Sequence, residues 1–276
     1  NAFVGVGGPY FELDIPARTS AAPVNAGAAV GVAVEGLAFD LALLSQVDEV
    51  AVGANTTYVA TLNGDRYTAL YAEVAGMNLV GVGGVALSAS NVKIKVNQGR
   101  SGATTGPQTV LPAAFDFTEV TGLSPGTPTS ESIFLKIFKD QGFKDTVIGF
   151  EAIGTTAGTG VSLLVNLSAT TPTSVTDADF ALQADITFER TTLRSGQIAT
   201  RISATNVTAS FGTINFAATG NAVILITAAG TSANIDVTLS AVSFTDGKNT
   251  FALDSPTFRL EINTATTSVN QEFKVA

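Results

Sequence analysis

The sequence predicts an all-β protein: elongated antiparallel meanders packed as sandwich-like repeat units, with a β-solenoid as the alternative. Three observations carry this. Apolar residues recur at every second position, clusters of turn-forming residues separate those runs, and one strand-like stretch returns 166 residues further on, from 85 to 251.

Taken in order, LAFDLAL at 37–43 places Leu37, Phe39, Leu41 and Leu43 on one face of a strand and Ala38, Asp40 and Ala42 on the other. The overlapping segment LALLSQVDEVAVGAN at 41–55 is expected to carry a helical turn. NVKIKVN at 91–97 alternates again. IFLKIFKDQGF at 133–143 has apolar residues on both strand faces and so reads as strand or helix; at most two short helices are expected in the chain. FALQADITFE at 180–189 has the cleanest split, with Phe180, Leu182, Ala184, Ile186 and Phe188 opposing Gln183, Asp185, Thr187 and Glu189. IDVTLSA at 235–241 and TFRLEIN at 257–263 complete the series. Between these runs lie GRSGATTGPQ at 99–108, GLSPGTPTSES at 122–132, GTTAGTG at 154–160 and ATTPTSVTDAD at 169–179, all rich in turn-forming residues.

VALSASNVKIKVN at 85–97 aligns without gaps on FALDSPTFRLEIN at 251–263, so that Val92, Ile94 and Val96 match Phe258, Leu260 and Ile262. NVTASFGTINF at 206–216 echoes NAFVGVGGPYF at 1–11. The matches predict a β-rich first unit over 1–121, a second segment of the same repeat over 122–205 and a partial second copy over 206–276. Solenoid rungs recur at near-constant length, and the uneven strand spacing here favours the meander.

With 276 residues, 45% of them hydrophobic and 13% charged, the chain is able to bury a core and lies outside the charge-driven disordered class. The net charge is −9 and the basic residues are scattered singly, a pattern that repels nucleic acid. Cys, His and Trp are all absent, which removes thiolate nucleophiles, disulfides, imidazole bases and Cys/His metal sites. The longest apolar runs, AAVGVAV at 28–34 and AVILITAA at 222–229, fall short of the ~18 residues of a spanning helix, so no transmembrane helix is expected. An outer-membrane barrel would need interfacial girdles of Trp and Tyr, and only 4 Tyr are present. A chain that opens on Asn1 reads as a processed or excised piece.

VGVGG occurs at 4–8 and again at 80–84. A phosphate-binding glycine loop joins a strand to a helix N-terminus, whereas both of these run on into strand-like sequence, so their glycines are expected to bend a strand or let another backbone approach. Asp40, Glu73, Asp116, Glu119, Asp185 and Glu189 are the carboxylates from which a glycosidase pair would be drawn, but most sit on the polar face of a strand, where solvated charge is the expectation. Asp177 and Asp179 in TDAD, NGD at 63–65 and TDGKN at 245–249 offer oxygen ligands to calcium without forming a D-x-D-x-D-G loop. The sequons at Asn55, Asn166 and Asn206 are acceptors only in a host that glycosylates Asn. No catalytic, cofactor-binding or metal-ligating residue is assigned.

AFVGVGGPYF, GLAFDLALL, YTALYAEVAGMNLVGVGGVALSASNVKIKVN, AAFDF and DITFERTTL together resemble the repeat unit of giant bacterial secreted surface proteins, the LEPR-XLL and RTX-associated adhesin-like exoproteins. The resemblance implies an aspartate-rich calcium loop after GGPYF; here FELDIPARTS supplies only Glu12 and Asp14. Repeats without catalytic motifs, read with this resemblance, lead to the expectation of a non-enzymatic structural subunit of an extracellular or cell-surface fibre, sheath or adhesin. Its partners would be further copies of itself and surface polysaccharide. The alternative is a carbohydrate- or calcium-binding surface module.

Overall fold

The computed structural model describes residues 1–7, 11–14, 19–23, 28–52, 55–60, 64–102, 114–119, 130–192, 197–211, 216–240, 242–245 and 248–265. The chain is all-β and every strand pairing in it is antiparallel. Twelve strands form one sheet: β1 (Ala2–Val6), β4 (Val30–Glu35), β5 (Ala38–Ser45), β8 (Arg66–Val80), β9 (Val85–Arg100), β10 (Val147–Ala152), β11 (Val161–Val165), β12 (Phe180–Thr192), β13 (Ile198–Phe211), β14 (Phe216–Thr227), β15 (Gly230–Leu239) and β18 (Thr257–Asn263). Three hairpins stand apart from it: β2 (Phe11–Asp14) with β3 (Thr19–Pro23), β6 (Val47–Val52) with β7 (Asn55–Ala60), and β16 (Val242–Thr245) with β17 (Thr250–Leu253).

The sheet order is β1-β4-β8-β9-β10-β12-β13-β14-β15-β18, and the long strands act as rails. On one side of β8 lie both β4 and β5, end to end. Between β9 and β12 lie β10 and β11, likewise end to end, separated by the glycine-rich loop 153–160. Where each rail passes from one short strand to the next, its ladder is irregular, and Asn91 and Asn206 adopt positive φ of 48° and 51° there.

Alternation in sequence becomes a division of the sheet into two faces. One row of directly opposed residues, Phe39–Ala72–Ile94–Phe150–Phe188–Ile202–Ile224–Ala233–Ile262, is apolar across nine strands. The row beside it, Val74–Val92–Ala152–Ile186–Ala204–Ala222–Ile235–Leu260, belongs to the same face. Val74, Val92 and Ala152 form a buried cluster there, with Val34, Met77, Ala89 and Val161 packed against it. On the other face the row at the same level reads Glu73–Lys93–Glu151–Thr187–Ser203, alternating acid and base before turning to hydroxyls.

A second core lies on the polar face, where Ala42, Ala69 and Tyr71 of the sheet are capped by Phe117, Phe138 and Phe143. Phe138 comes from helix α1 (Ser130–Asp140) and Phe117 from the short 3-10 turn Phe117–Glu119. The helix ends in a Schellman arrangement: Phe143 N–H donates to Phe138 O (3.0 Å), Gly142 N–H donates to Lys139 O (3.0 Å), and Gly142 takes φ 68°. The hydrophobic contact that accompanies such a cap is the Phe138–Phe143 ring pair, 5.2 Å between centroids. The 133–143 segment is thus helix through residue 140. The helical turn expected within 41–55 is not formed: β5 and β6 occupy that stretch, because the Phe39, Leu41, Leu43 alternation runs through β5 and 47–52 pairs with β7.

The two VGVGG stretches end up on either side of the start of β4. Gly7 and Gly81 have φ of 73° and 77°, and a Cβ on either would lie 2.0 Å from a carbonyl oxygen, of Ala28 and Ala29 respectively. Both are close-approach turns, as expected; Gly8 lies outside the described residues.

The stretches matched in sequence keep matching places only in part: 91–97 on β9 and 257–263 on β18 lie in the main sheet, whereas Phe251 and Leu253, matched to Val85 and Leu87, lie on β17 in a separate hairpin. β1-β4-β8-β9 and β13-β14-β15-β18 are two runs of four neighbouring strands, joined differently along the chain. In the third and fourth strands of each run an acid opposes a base, Glu73 with Lys93 and Asp236 with Arg259. The second pair is a salt bridge of 3.0 Å.

Candidate functional site on the polar face

The polar face holds the concavity richest in charged side chains. Strands β9, β10, β12 and β13 line a trough of about 440 Å³ with Lys93, Lys95, Glu151, Glu189, Arg201 and Ser203. A second hollow of about 600 Å³ shares Lys93 and Glu151 and runs on past Glu73 and Asn91 to Gly154 and Thr155. The strand period places these side chains: every second residue of four adjacent strands projects to one side, and the residues between them are the apolar ones on the far face.

Two of the five charged side chains that line the trough pair with each other. Arg201 Nη1 donates to Glu189 Oε1 at 3.0 Å, and both are partly exposed. The Tyr71 hydroxyl donates to Glu73 in a short contact. Burial, that hydrogen bond and the negative charges of Glu73 and Glu151 raise the Tyr71 phenol well above its ordinary value of 10.0. Thr187 and Ser203 hydroxyls bond to each other. Such a surface recognises polar, hydroxyl-rich groups by hydrogen bonds; it presents no aromatic side chain as a stacking platform among the described residues of the charged rows.

Asp185, one of the glycosidase candidates, has a different role. It is 5% exposed and sits where the β12–β13 register shifts. Its Oδ1 accepts from Gly154 N–H (2.9 Å) and Gly160 N–H (3.0 Å), and its Oδ2 from Gly158 N–H (2.6 Å) and Asn206 Nδ2 (2.9 Å). Burial pushes the carboxyl pKa up, but these four donors outweigh it and hold the group below its ordinary value. Asp185 therefore pins the 153–160 loop and the Asn206 bulge to the sheet. Gly160 is required for the fit, since a Cβ there would meet Ala152 O at 2.0 Å.

The remaining candidates do not converge. Asp40 lies opposite Tyr71 on β5. Asp116 accepts from the N–H and hydroxyl of Thr118, capping the 3-10 turn. The Glu119 side chain lies outside the described residues. Asp177 accepts from the N–H and hydroxyl groups of both Thr173 and Ser174, which hold its carboxyl far below the usual range. Asp179 accepts from Leu167 N–H. These two acids of TDAD thus serve turn capping. Of NGD, Asp65 pairs its backbone with Gln46, and Asn63 lies outside the described residues, as do Asp246 and Gly247 of TDGKN and the side chains of Glu12 and Asp14. Among the described residues no three or more acids gather to hold a metal ion. Of the sequon amides, Asn166 donates to Thr170 O and Asn206 to Asp185; the Asn55 side chain lies outside the described residues.

Compared with known protein families, with curated proteins and with solved structures, the chain matches none. Alternation alone places Lys93, Lys95, Glu189 and Thr187 on the polar face. What sequence reasoning missed is the set Gly154, Gly158, Gly160 and Asn206 around Asp185. The signal available was a glycine-rich loop, GTTAGTG, ahead of a strand that sets an acid between two apolar residues, Ala184 and Ile186.

Proposed function

We propose that this protein is a non-catalytic structural subunit of an extracellular bacterial fibre, sheath or adhesin, assembling with copies of itself through its β-rich repeats. The observation that carries this reading is the open antiparallel sheet. Acid opposes base between β8 and β9 and again between β15 and β18, and a sheet built this way extends by adding strands without changing its local geometry. Both ends of the sheet support growth, because among the described residues β18 pairs with β15 alone, β1 with β4 alone and β5 with β8 alone. Unpaired strand edges of this length template further pairing. The engagement of Asp185, Asp116 and Asp177 in capping removes three carboxylates from any catalytic role and favours the structural reading. Resemblance to secreted surface repeats supports a position outside the cell.

A second reading, a surface module that binds polysaccharide, is favoured by the trough over β9, β10, β12 and β13. The deciding experiment is negative-stain microscopy of the purified chain across a micromolar concentration series, with light scattering on the same samples. Filaments or sheets that lengthen with concentration are expected. Particles that stay at the monomer mass of 28.1 kDa up to about 100 μM, where edge pairing of micromolar strength would be saturated, would refute self-assembly.

A further inference from the structure

The apolar face of the sheet is left open. Phe39 is 62% exposed, Leu41 50%, Leu87 41%, Ile198 48%, Ile226 43% and Phe258 58%, and all six project to the face that carries the unbroken apolar row. Among the described residues, the exposed large apolar side chains that lie elsewhere are Leu37, Val47, Leu167 and Val175. Helix α1 and the Phe cluster pack on the opposite face. A monomer does not keep a continuous apolar surface of this extent in water.

We infer that this face is the interface for a second copy of the chain, the two sheets stacking face to face into a two-layer sandwich. Area selects that occupant. The exposed fractions of the large apolar residues correspond to on the order of 1,000 Å² per copy, so pairing two such faces buries on the order of 2,000 Å², the scale of a stable homodimer. Self-pairing also suits the shape, because a copy presents a sheet of the same width and twist, with side chains able to interdigitate at a spacing of about 10 Å. Charge agrees with burial: the central rows of the face, from Val74 to Leu260 and from Phe39 to Ile262, contain no charged residue, while Arg66, Arg100 and Arg190 fall on rows nearer its margin. The interface uses a surface distinct from the strand edges invoked for fibre growth and stands without that reading.

The test is sedimentation equilibrium of the full chain beside two variants. Leu87→Asp/Ile226→Asp places carboxylates on the apolar face at positions already partly exposed, so folding is retained, as β-sheet circular dichroism will verify. Asn234→Asp adds one carboxylate to an exposed position on the polar face. Expected are dimers, or filaments with two chains per repeat, for the wild type and for Asn234→Asp. The double variant should show at least about a 100-fold weaker dimer constant, or half the mass per length if filaments persist. A double variant with unchanged mass would overturn the inference while leaving edge assembly intact. Monomeric wild type that instead floats with phosphatidylcholine vesicles would overturn it in favour of a lipid surface. Dimers without filaments would support it and count against the fibre.

Discussion

Asp185 gives the sharpest quantitative test of how this sheet is held together. Asp185→Asn keeps the volume of the side chain and one acceptor oxygen, but turns an amide NH₂ toward N–H donors that stood 2.6 to 3.0 Å from the carboxylate. Hydrogen bonds to a charged group contribute about 1.5–3 kcal/mol each, so losing two of the four costs about 3–6 kcal/mol. For a chain of this size that lowers Tm by about 6–12 °C. The assay is thermal and urea unfolding at fixed protein concentration, with Cm falling and m unchanged. pH supplies an independent check. Because the folded carboxyl lies below its reference value of 3.8, the stability it contributes is fully present above that value and is lost as pH falls through the folded pKa. The gap between wild type and Asp185→Asn should therefore be widest above about pH 5 and close as the solution is acidified below the ordinary carboxylate range. A variant whose Tm stays within about 1 °C of wild type at pH 7, against the shift of several degrees that a lost pair of charged hydrogen bonds demands, would refute the pinning role.

Further outcomes follow from the packing. Gly142→Ala and Gly160→Ala separate conformational strain from steric exclusion: Gly142 has positive φ in open space and should cost about 1 kcal/mol, whereas Gly160 faces Ala152 O and should cost several times more in urea unfolding. Phe138→Ala, at a fully buried position between the rings of Phe117 and Phe143, should cost about 3–5 kcal/mol and be read as lost helical ellipticity together with a lower Cm. Tyr71 should resist alkaline titration. Of the 4 tyrosines, one fewer than expected should ionise near pH 11 by ultraviolet absorbance, and Tyr71→Phe should leave that count unchanged; a count lowered by the substitution would contradict the raised pKa.

Much of this architecture was legible as period-two alternation. Phe180, Leu182, Ala184, Ile186 and Phe188 share a face because a strand has no other way to place them, and an apolar face of that length must be dry or paired. Two local readings missed for definable reasons. In 133–138 apolar side chains are so dense that a period of two and one of 3.6 fit equally well; Ser130 at the start and Gly142 after the end were the cues that separate them. Over 41–45 the alternation of β5 continues, and pairing of Leu41 with Leu70 and Leu43 with Thr68 overrode any local helical tendency, while 47–52 pairs with β7 in a hairpin of its own.

The sequence by itself determined the strands, their two faces and the glycine turns, because those depend on residues a few positions apart. The order of strands, the meeting of Asp185 with donors 25 to 31 residues upstream, and the exposure of much of the apolar face outside the Val74, Val92 and Ala152 cluster were decided only by tertiary structure. Alternation states which side of a strand is apolar, but a single chain's pattern carries no information on what lies above that side. Only the fold, by placing helix α1 and the Phe cluster over the polar face, leaves the other one open.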